Sequence, residues 1–193
     1  MPPRTDAPAA RFAELYAADP DPWGTRTRWY ERRKRAVLTA CLPREHYAHA
    51  AEPGCGNGSL TVELAARCDA VTASEPDPAA LAAARTVLAG RPGVVLRGAG
   101  LPDPVTVPSG VDLVVLSEVL YYLAPETVGR VLDRVAGALR PGGDVVVVNW
   151  LGRPAEAPMS ADDVGRAFRG DDRLRPLVEH RDEEFRLDVL RRR

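Results

Sequence analysis

The chain has 193 residues, 45% of them hydrophobic and 27% charged, with a formal net charge of −1 at pH 7. That length suits one domain with a real core, and the balanced charge gives no field to recruit nucleic acid or an anionic membrane. No apolar run approaches the roughly 20 residues of a membrane span, MPPRTDAPAA lacks a signal-peptide core, and three cysteines without CxxC or Cys/His spacing argue against disulfides and a metal site and for a reducing cytoplasm.

In chain order, residues 1–10 are Pro/Ala-rich without periodicity and read as a loose terminus. A short helix is expected over Phe12 to Ala18. The turn Asp19-Pro20-Asp21-Pro22, with Gly24, leads into a charged helix on which Tyr30, Val37 and Cys41 share a face. Its six basic residues between Arg26 and Arg35 read either as a solvated face or as contacts to an anionic group of a ligand. Pro43 ends that helix. An Ala-rich strand from Tyr47 then closes on Glu52 and the alternating glycines Gly54, Gly56 and Gly58, before a helix through Leu60, Leu64 and Cys68. Glycines there allow close approach of a ligand and positive φ values, and the new helix would offer free N–H groups.

Ala70 to Glu75 reads as a second strand with an acidic end, and Asp77-Pro78 as the N-cap and first turn of a helix carrying Leu81, Ala84 and Leu88. Val94 to Arg97 is a third strand, followed by a Gly/Pro-rich loop from Gly98 to Gly110. The apolar run Leu113 to Leu116 suits a central parallel strand and ends in Ser117-Glu118, ahead of Tyr121-Tyr122. Val128, Val131, Leu132, Val135 and Leu139 mark an amphipathic helix, broken by Pro141-Gly142-Gly143. Val145 to Val148 is another buried strand, closing on Asn149-Trp150. Ser160 with Asp163 predicts a capped helix to Phe168, and Leu177 to Arg181 and Phe185 to Leu190 predict an antiparallel, half-exposed edge pair.

Alternating strands and helices imply an α/β fold with a doubly wound, mostly parallel sheet. Ligands of such sheets sit at the carboxyl ends of the strands. That rule gathers Glu52 to Gly58, Glu75, Gly98 to Leu101, Ser117 to Val119 and Asn149-Trp150 at one crevice. Glu75 lies 17 residues after Gly58, where an acid accepts from a ribose diol. Ser59 replaces the third glycine of a dinucleotide fingerprint, and no P-loop Lys-Ser/Thr follows.

The spacing Glu52-x-Gly54-x-Gly56-x-Gly58, the acid Glu75, the strand into Ser117-Glu118-Val119-Leu120, and Leu139-Arg140-Pro141-Gly142-Gly143 together resemble the class I methyltransferases that use S-adenosylmethionine. The resemblance covers roughly residues 45 to 190 and implies a Rossmann-like, seven-stranded sheet with an antiparallel terminal hairpin. Asp21-Pro22-Trp23, Tyr30-Glu31-Arg32, Glu52-x-Gly-Cys-Gly-x-Gly and Ser117-Glu118-Val119-Leu120-Tyr121-Tyr122-Leu123 are similar to the nodulation-type (NodS-like) N-methyltransferases, which act on a sugar amine. On this basis residues 1–193 form one methyltransferase domain, with an N-terminal helical lid (1–44) and a cofactor-binding core (45–193).

The resemblance also implies roles. Gly54, Gly56 and Gly58 would approach the methionine part of S-adenosylmethionine, with Glu52 at its amino end. Glu75 would bind the ribose, Pro76 would pack on the adenine, and Ala99, Gly100 and Leu101 would edge it, flanked by Ser117 and Val119. Many relatives carry an Asp in that loop; here backbone carbonyls or Asp103 are the candidates. Trp23, Tyr30 and Lys34 would lie on the lid, Lys34 or a neighbouring Arg meeting the methionine carboxylate. Glu118, Tyr121 and Tyr30 are the candidate catalytic residues, with Glu31 and Trp150 as further walls. One of Tyr121 and Tyr122 is expected in the core, because adjacent residues point to different sides. The absence of an Asn/Asp-Pro-Pro-Tyr/Phe sequence argues against a nucleic-acid amino methyltransferase, and His46, His49 and His180 lack ligand spacing. The expected partner is a small-molecule methyl acceptor, with no nucleic acid and no membrane, for a monomer or homodimer. O-methylation, a non-catalytic nucleoside-cofactor module and a dinucleotide-dependent oxidoreductase are the alternatives.

Overall fold

The computed structural model describes residues 5–152 and 154–193. Residues 1–4 of the expected loose terminus, and position 153, lie outside the described residues. The chain runs α1 (Ala9–Ala18), α2 (Trp29–Cys41), β1 (Tyr47–Pro53), α3 (Ser59–Ala65), β2 (Cys68–Ser74), α4 (Pro78–Val87), β3 (Val94–Arg97), β4 (Val111–Ser117), α5 (Pro125–Ala138), β5 (Leu139–Trp150), α6 (Ala161–Arg169), β6 (Leu174–Arg181) and β7 (Phe185–Arg192). One seven-stranded sheet has the order β3-β2-β1-β4-β5-β7-β6. β1 to β5 pair in parallel, whereas β7 is antiparallel to both β5 and β6.

The apolar runs are continuous because the central strands are covered on both faces. Along β4, Val114 and Leu116 face a core with Val131 and Val135 of α5 and Val164 and Phe168 of α6. Leu113 and Val115 face a second core with Leu38 of α2 and Leu60 and Leu64 of α3. Phe168 is fully buried, a burial of the order of 1.5–3 kcal/mol for such a side chain. Asp77 caps α4 by accepting from Ala79 and Ala80 N–H at 2.9 Å each.

Four local expectations differ. Phe12 lies inside α1, which starts earlier, at Ala9. The helix expected through Cys68 stops at Ala65, because Cys68 already pairs with Tyr47 in register as the first residue of β2. Leu139 belongs to β5 rather than to the preceding helix: it pairs with Val111, and Pro141-Gly142-Gly143 sits inside the strand where the register shifts. β7 is not half-exposed but lies between β5 and β6. Its polar alternates, Arg186 and Asp188, are buried as a pair at 2.8 Å, with Arg169 of α6 on the same Asp188.

Strand order reverses beside β1, whose neighbours are β2 on one side and β4 on the other. This switch point brings the glycine turn, the end of β2 and the end of β4 to one place.

Candidate functional site

After β1 the chain turns through Gly54, Gly56 and Gly58, with φ of 74°, 54° and 80°. A Cβ at Gly54 would overlap Val119 Cγ1, and one at Gly56 would lie 2.9 Å from the Tyr16 hydroxyl. Glycine is therefore required by backbone conformation and by the protein's own packing. Four of the turn's amides and the first amide of α3 already have acceptors within the protein. Gly54 and Cys55 N–H donate to the Ser74 carbonyl, Gly56 N–H to Glu75 Oε2, Gly58 N–H to the Cys55 carbonyl and Ser59 N–H to Asn57 Oδ1. The turn is thus locked onto the end of β2, and what it presents is mainly carboxylate and Cα surface.

Above it lies a cavity of about 1080 Å³. Of the residues named from sequence, Trp23, Tyr30, Lys34, Glu52, Gly54, Gly56, Glu75, Pro76, Gly100, Leu101, Ser117, Glu118, Val119 and Tyr121 line it, as do Glu31 and Trp150. Gly58 and Ala99 do not. Gly58 instead starts α3 in the left-handed conformation. Asp103 does not line the cavity either: its carboxylate caps the following turn through Val105 N–H at 2.9 Å.

Glu52 is buried and accepts from Thr61 Oγ1 at 2.6 Å, and burial pushes its carboxyl up to about 8. Glu75 accepts Gly56 N–H on one oxygen and Asp77 N–H on the other, both at 3.0 Å. Burial raises it above the usual carboxylate range, against these two bonds. Each Glu75 oxygen keeps a lone pair for a further donor.

Glu118, just beyond β4, is held at φ 61°, the one positive φ of a non-glycine among the described residues. Its Oε1 accepts from Tyr30 Oη at 3.3 Å and Lys34 Nζ at 3.0 Å. Its Oε2 accepts from Tyr121 Oη at 2.7 Å and Trp150 N–H at 2.9 Å. Four donors match the four lone-pair sites of a carboxylate, so the end of β4, the end of β5 and α2 are tied through one side chain. Burial first, and the Glu118 charge second, hold the Tyr30 and Tyr121 phenols above their usual range. Both therefore act as proton-bearing donors at neutral pH. Lys34, carried over as a contact for the methionine carboxylate, here bridges Glu118 and Glu31. Tyr121 is the core member of its pair, while Tyr122 packs edge-on against Phe12 of α1.

The N-terminal segment covers the crevice, contributing lining residues from Asp6 to Arg35. Asp21 Oδ1 accepts from Thr25 N–H and Oγ1 and from Asn57 Nδ2, which ties the lid turn to the glycine turn. Tyr16 meets Trp23 edge-on at 5.3 Å between ring centroids. The sequence reading missed Tyr16, Thr25 and Asn57, since each acts through partners distant in sequence. The turn signal around Asp21 was visible; its destination was not.

A family profile described as a methyltransferase domain matches residues 51–145. A crystal structure of a candidate methyltransferase from Pseudomonas syringae is 35% identical, with a TM-score of 0.71, covering 86% of this chain and 100% of that one. The chain belongs to the class I S-adenosylmethionine-dependent methyltransferases. Nodulation protein S of Rhizobium tropici is 31% identical over 132 residues, which are 67% of this chain and 55% of that protein. The methyltransferase NodS of Bradyrhizobium japonicum WM9, solved with S-adenosyl-L-homocysteine, shares the fold at a TM-score of 0.80 and 23% identity, covering 94% and 97% of the two chains. The chain spans about half the length of the curated relatives it matches.

The family's cofactor is S-adenosylmethionine, and the residues present fit it. Glu75 keeps acceptor capacity beside a turn without side chains at Gly54 and Gly56, and Glu52 supplies a second carboxyl on the same wall.

Proposed function

We propose that this methyltransferase acts on a small-molecule acceptor, an amine of a sugar-like or secondary metabolite. The observation that carries the reading is the placement, in one cavity, of Glu52 and Glu75 around the glycine turn and of the Glu118 cluster at the end of the neighbouring strand β4. Glu75 would hold the ribose diol and Glu52 the amino end of S-adenosylmethionine, with Pro76, Gly100 and Leu101 along the adenine. When bound, S-adenosylmethionine supplies an electrophilic methyl group on a sulfonium.

This chain's residues then have mainly to align the acceptor, since proximity alone can contribute several kcal/mol. Tyr30 and Tyr121, both proton-bearing, offer no base; Glu118 fixes them and draws α2 onto the sheet. An acidic wall also favours an amine over a neutral hydroxyl acceptor, because an amine arrives as a cation.

The test is incubation with methyl-labelled S-adenosylmethionine and a panel of amino sugars and their N-acetylated and hydroxyl counterparts. Label on the free amines alone is expected. Label only on hydroxyl compounds would replace the reading by O-methylation. No transfer despite cofactor binding and turnover-length incubation would favour a binding module.

A further inference from the structure

The acceptor end of the cavity holds two carboxylates with different duties. Glu118 has donors on all four of its lone-pair sites. Glu31, one turn before Lys34 on α2, has a side chain 12% exposed, lines the same cavity, and has a single hydrogen-bond partner among the described residues, Lys34 Nζ at 3.1 Å. Three basic residues of α2 are already engaged. Lys34 is 4% exposed and shared between both carboxylates; Arg35 is on Glu63 at 2.7 Å, and Arg33 is on Asp182 at 2.5 Å and near Glu184. Within the Glu31–Lys34–Glu118 trio, two carboxylates share one ammonium, an excess of one negative charge when both are ionised.

Resting on the amine reading above, we propose that Glu31 is the residue that receives the acceptor's ammonium group and takes its proton. One N–H bond of the ammonium breaks and one O–H bond forms on Glu31. The electron pair stays on nitrogen, which then has the lone pair a methyl acceptor needs, and the proton leaves later to solvent. Burial holds the Glu31 carboxyl above its usual range against the pull of Lys34, which suits a group that must pick up a proton. Glu118 is the positioning residue: its donors fix Tyr30, Lys34 and the end of β5 around the site. The charged groups acting on Glu31 are Lys34 and Arg35 from α2 and Glu118 after β4, while Tyr30 and Glu184 line the same cavity.

The test uses the full chain saturated with S-adenosylhomocysteine, titrated with methylammonium, glucosamine and N-acetylglucosamine by calorimetry. Saturable binding of the two amines, but not of the amide, is expected. Glu31→Gln should weaken amine binding roughly 10- to 100-fold, the size of a lost charged hydrogen bond, while leaving S-adenosylhomocysteine affinity unchanged. In the unsubstituted protein, the carboxyl carbon signal of labelled Glu31 should shift when amine is added, a readout that needs no variant. Equal amine affinity in Glu31→Gln, or an unmoved Glu31 signal at amine saturation, overturns the proposal, as does a complex that binds none of the amines. Failure of S-adenosylhomocysteine to bind would instead strike the methyltransferase reading itself.

Discussion

Glu75 shows how one side chain serves fold and ligand together. It closes the glycine turn through Gly56 N–H and starts the next segment through Asp77 N–H, yet retains acceptor capacity toward the cavity. Glu75→Ala should weaken S-adenosylhomocysteine binding by about 1.5–3 kcal/mol, measured by titration calorimetry; unchanged affinity would misplace the ribose site. Gly54→Ala places a Cβ against Val119 at φ 74°, and overpacking of that kind costs about 1–3 kcal/mol in urea unfolding. Adding Val119→Ala should recover part of the loss, leaving the conformational share. Glu52 carries a pH signature. Its folded value of about 8 stands above the ordinary 4.5 of a glutamate, so between these two values the folded state holds a proton that the unfolded chain has released. Its contribution is complete below about pH 4.5 and is lost as pH rises through about 8. Unfolding midpoints of wild type should therefore fall relative to Glu52→Gln across that window, and a constant difference would refute the assignment. At this scale the sequence was informative wherever a residue ends a strand: Glu52, Glu75 and Glu118 were legible by position. Their partners were not, because Thr61, Tyr30, Lys34 and Trp150 reach them across the fold.

Local chemistry decides how well each element could be foreseen. α6 was legible down to its cap: Ser160 Oγ accepts Asp163 N–H at 3.1 Å while Asp163 accepts back from Ser160. Ser160→Ala should cost about 1 kcal/mol in chemical denaturation, and no change would mean that tertiary packing alone holds the helix. β7 was misjudged for a physical reason. Alternating Arg and Asp look solvated in a sequence, but Arg186 and Asp188 neutralise one another beneath α6 and stay buried. Likewise Asp112 and Asp144 lie buried in or beside apolar strands. Asp112 accepts Ala48 and His49 N–H, and Asp144 accepts Tyr47 Oη and Arg191. Such pairings depend on register, which periodicity does not encode.

At the scale of the whole molecule, alternation of strand and helix was enough to give a doubly wound sheet, and the switch point beside β1 placed the crevice. The closing of that crevice was less visible. It depends on α1, whose Tyr16 reaches over Gly56, and on the Asp21–Thr25–Asn57 contacts that hold the lid turn to the glycine turn. No helix among the described residues is long and apolar enough to cross a membrane. The proposed function requires that cavity to be the S-adenosylmethionine site. Titration calorimetry with S-adenosylhomocysteine and, separately, with NAD tests it most directly. Saturable one-to-one binding of S-adenosylhomocysteine and no heat with NAD are predicted; clear NAD binding with no response to S-adenosylhomocysteine would contradict it.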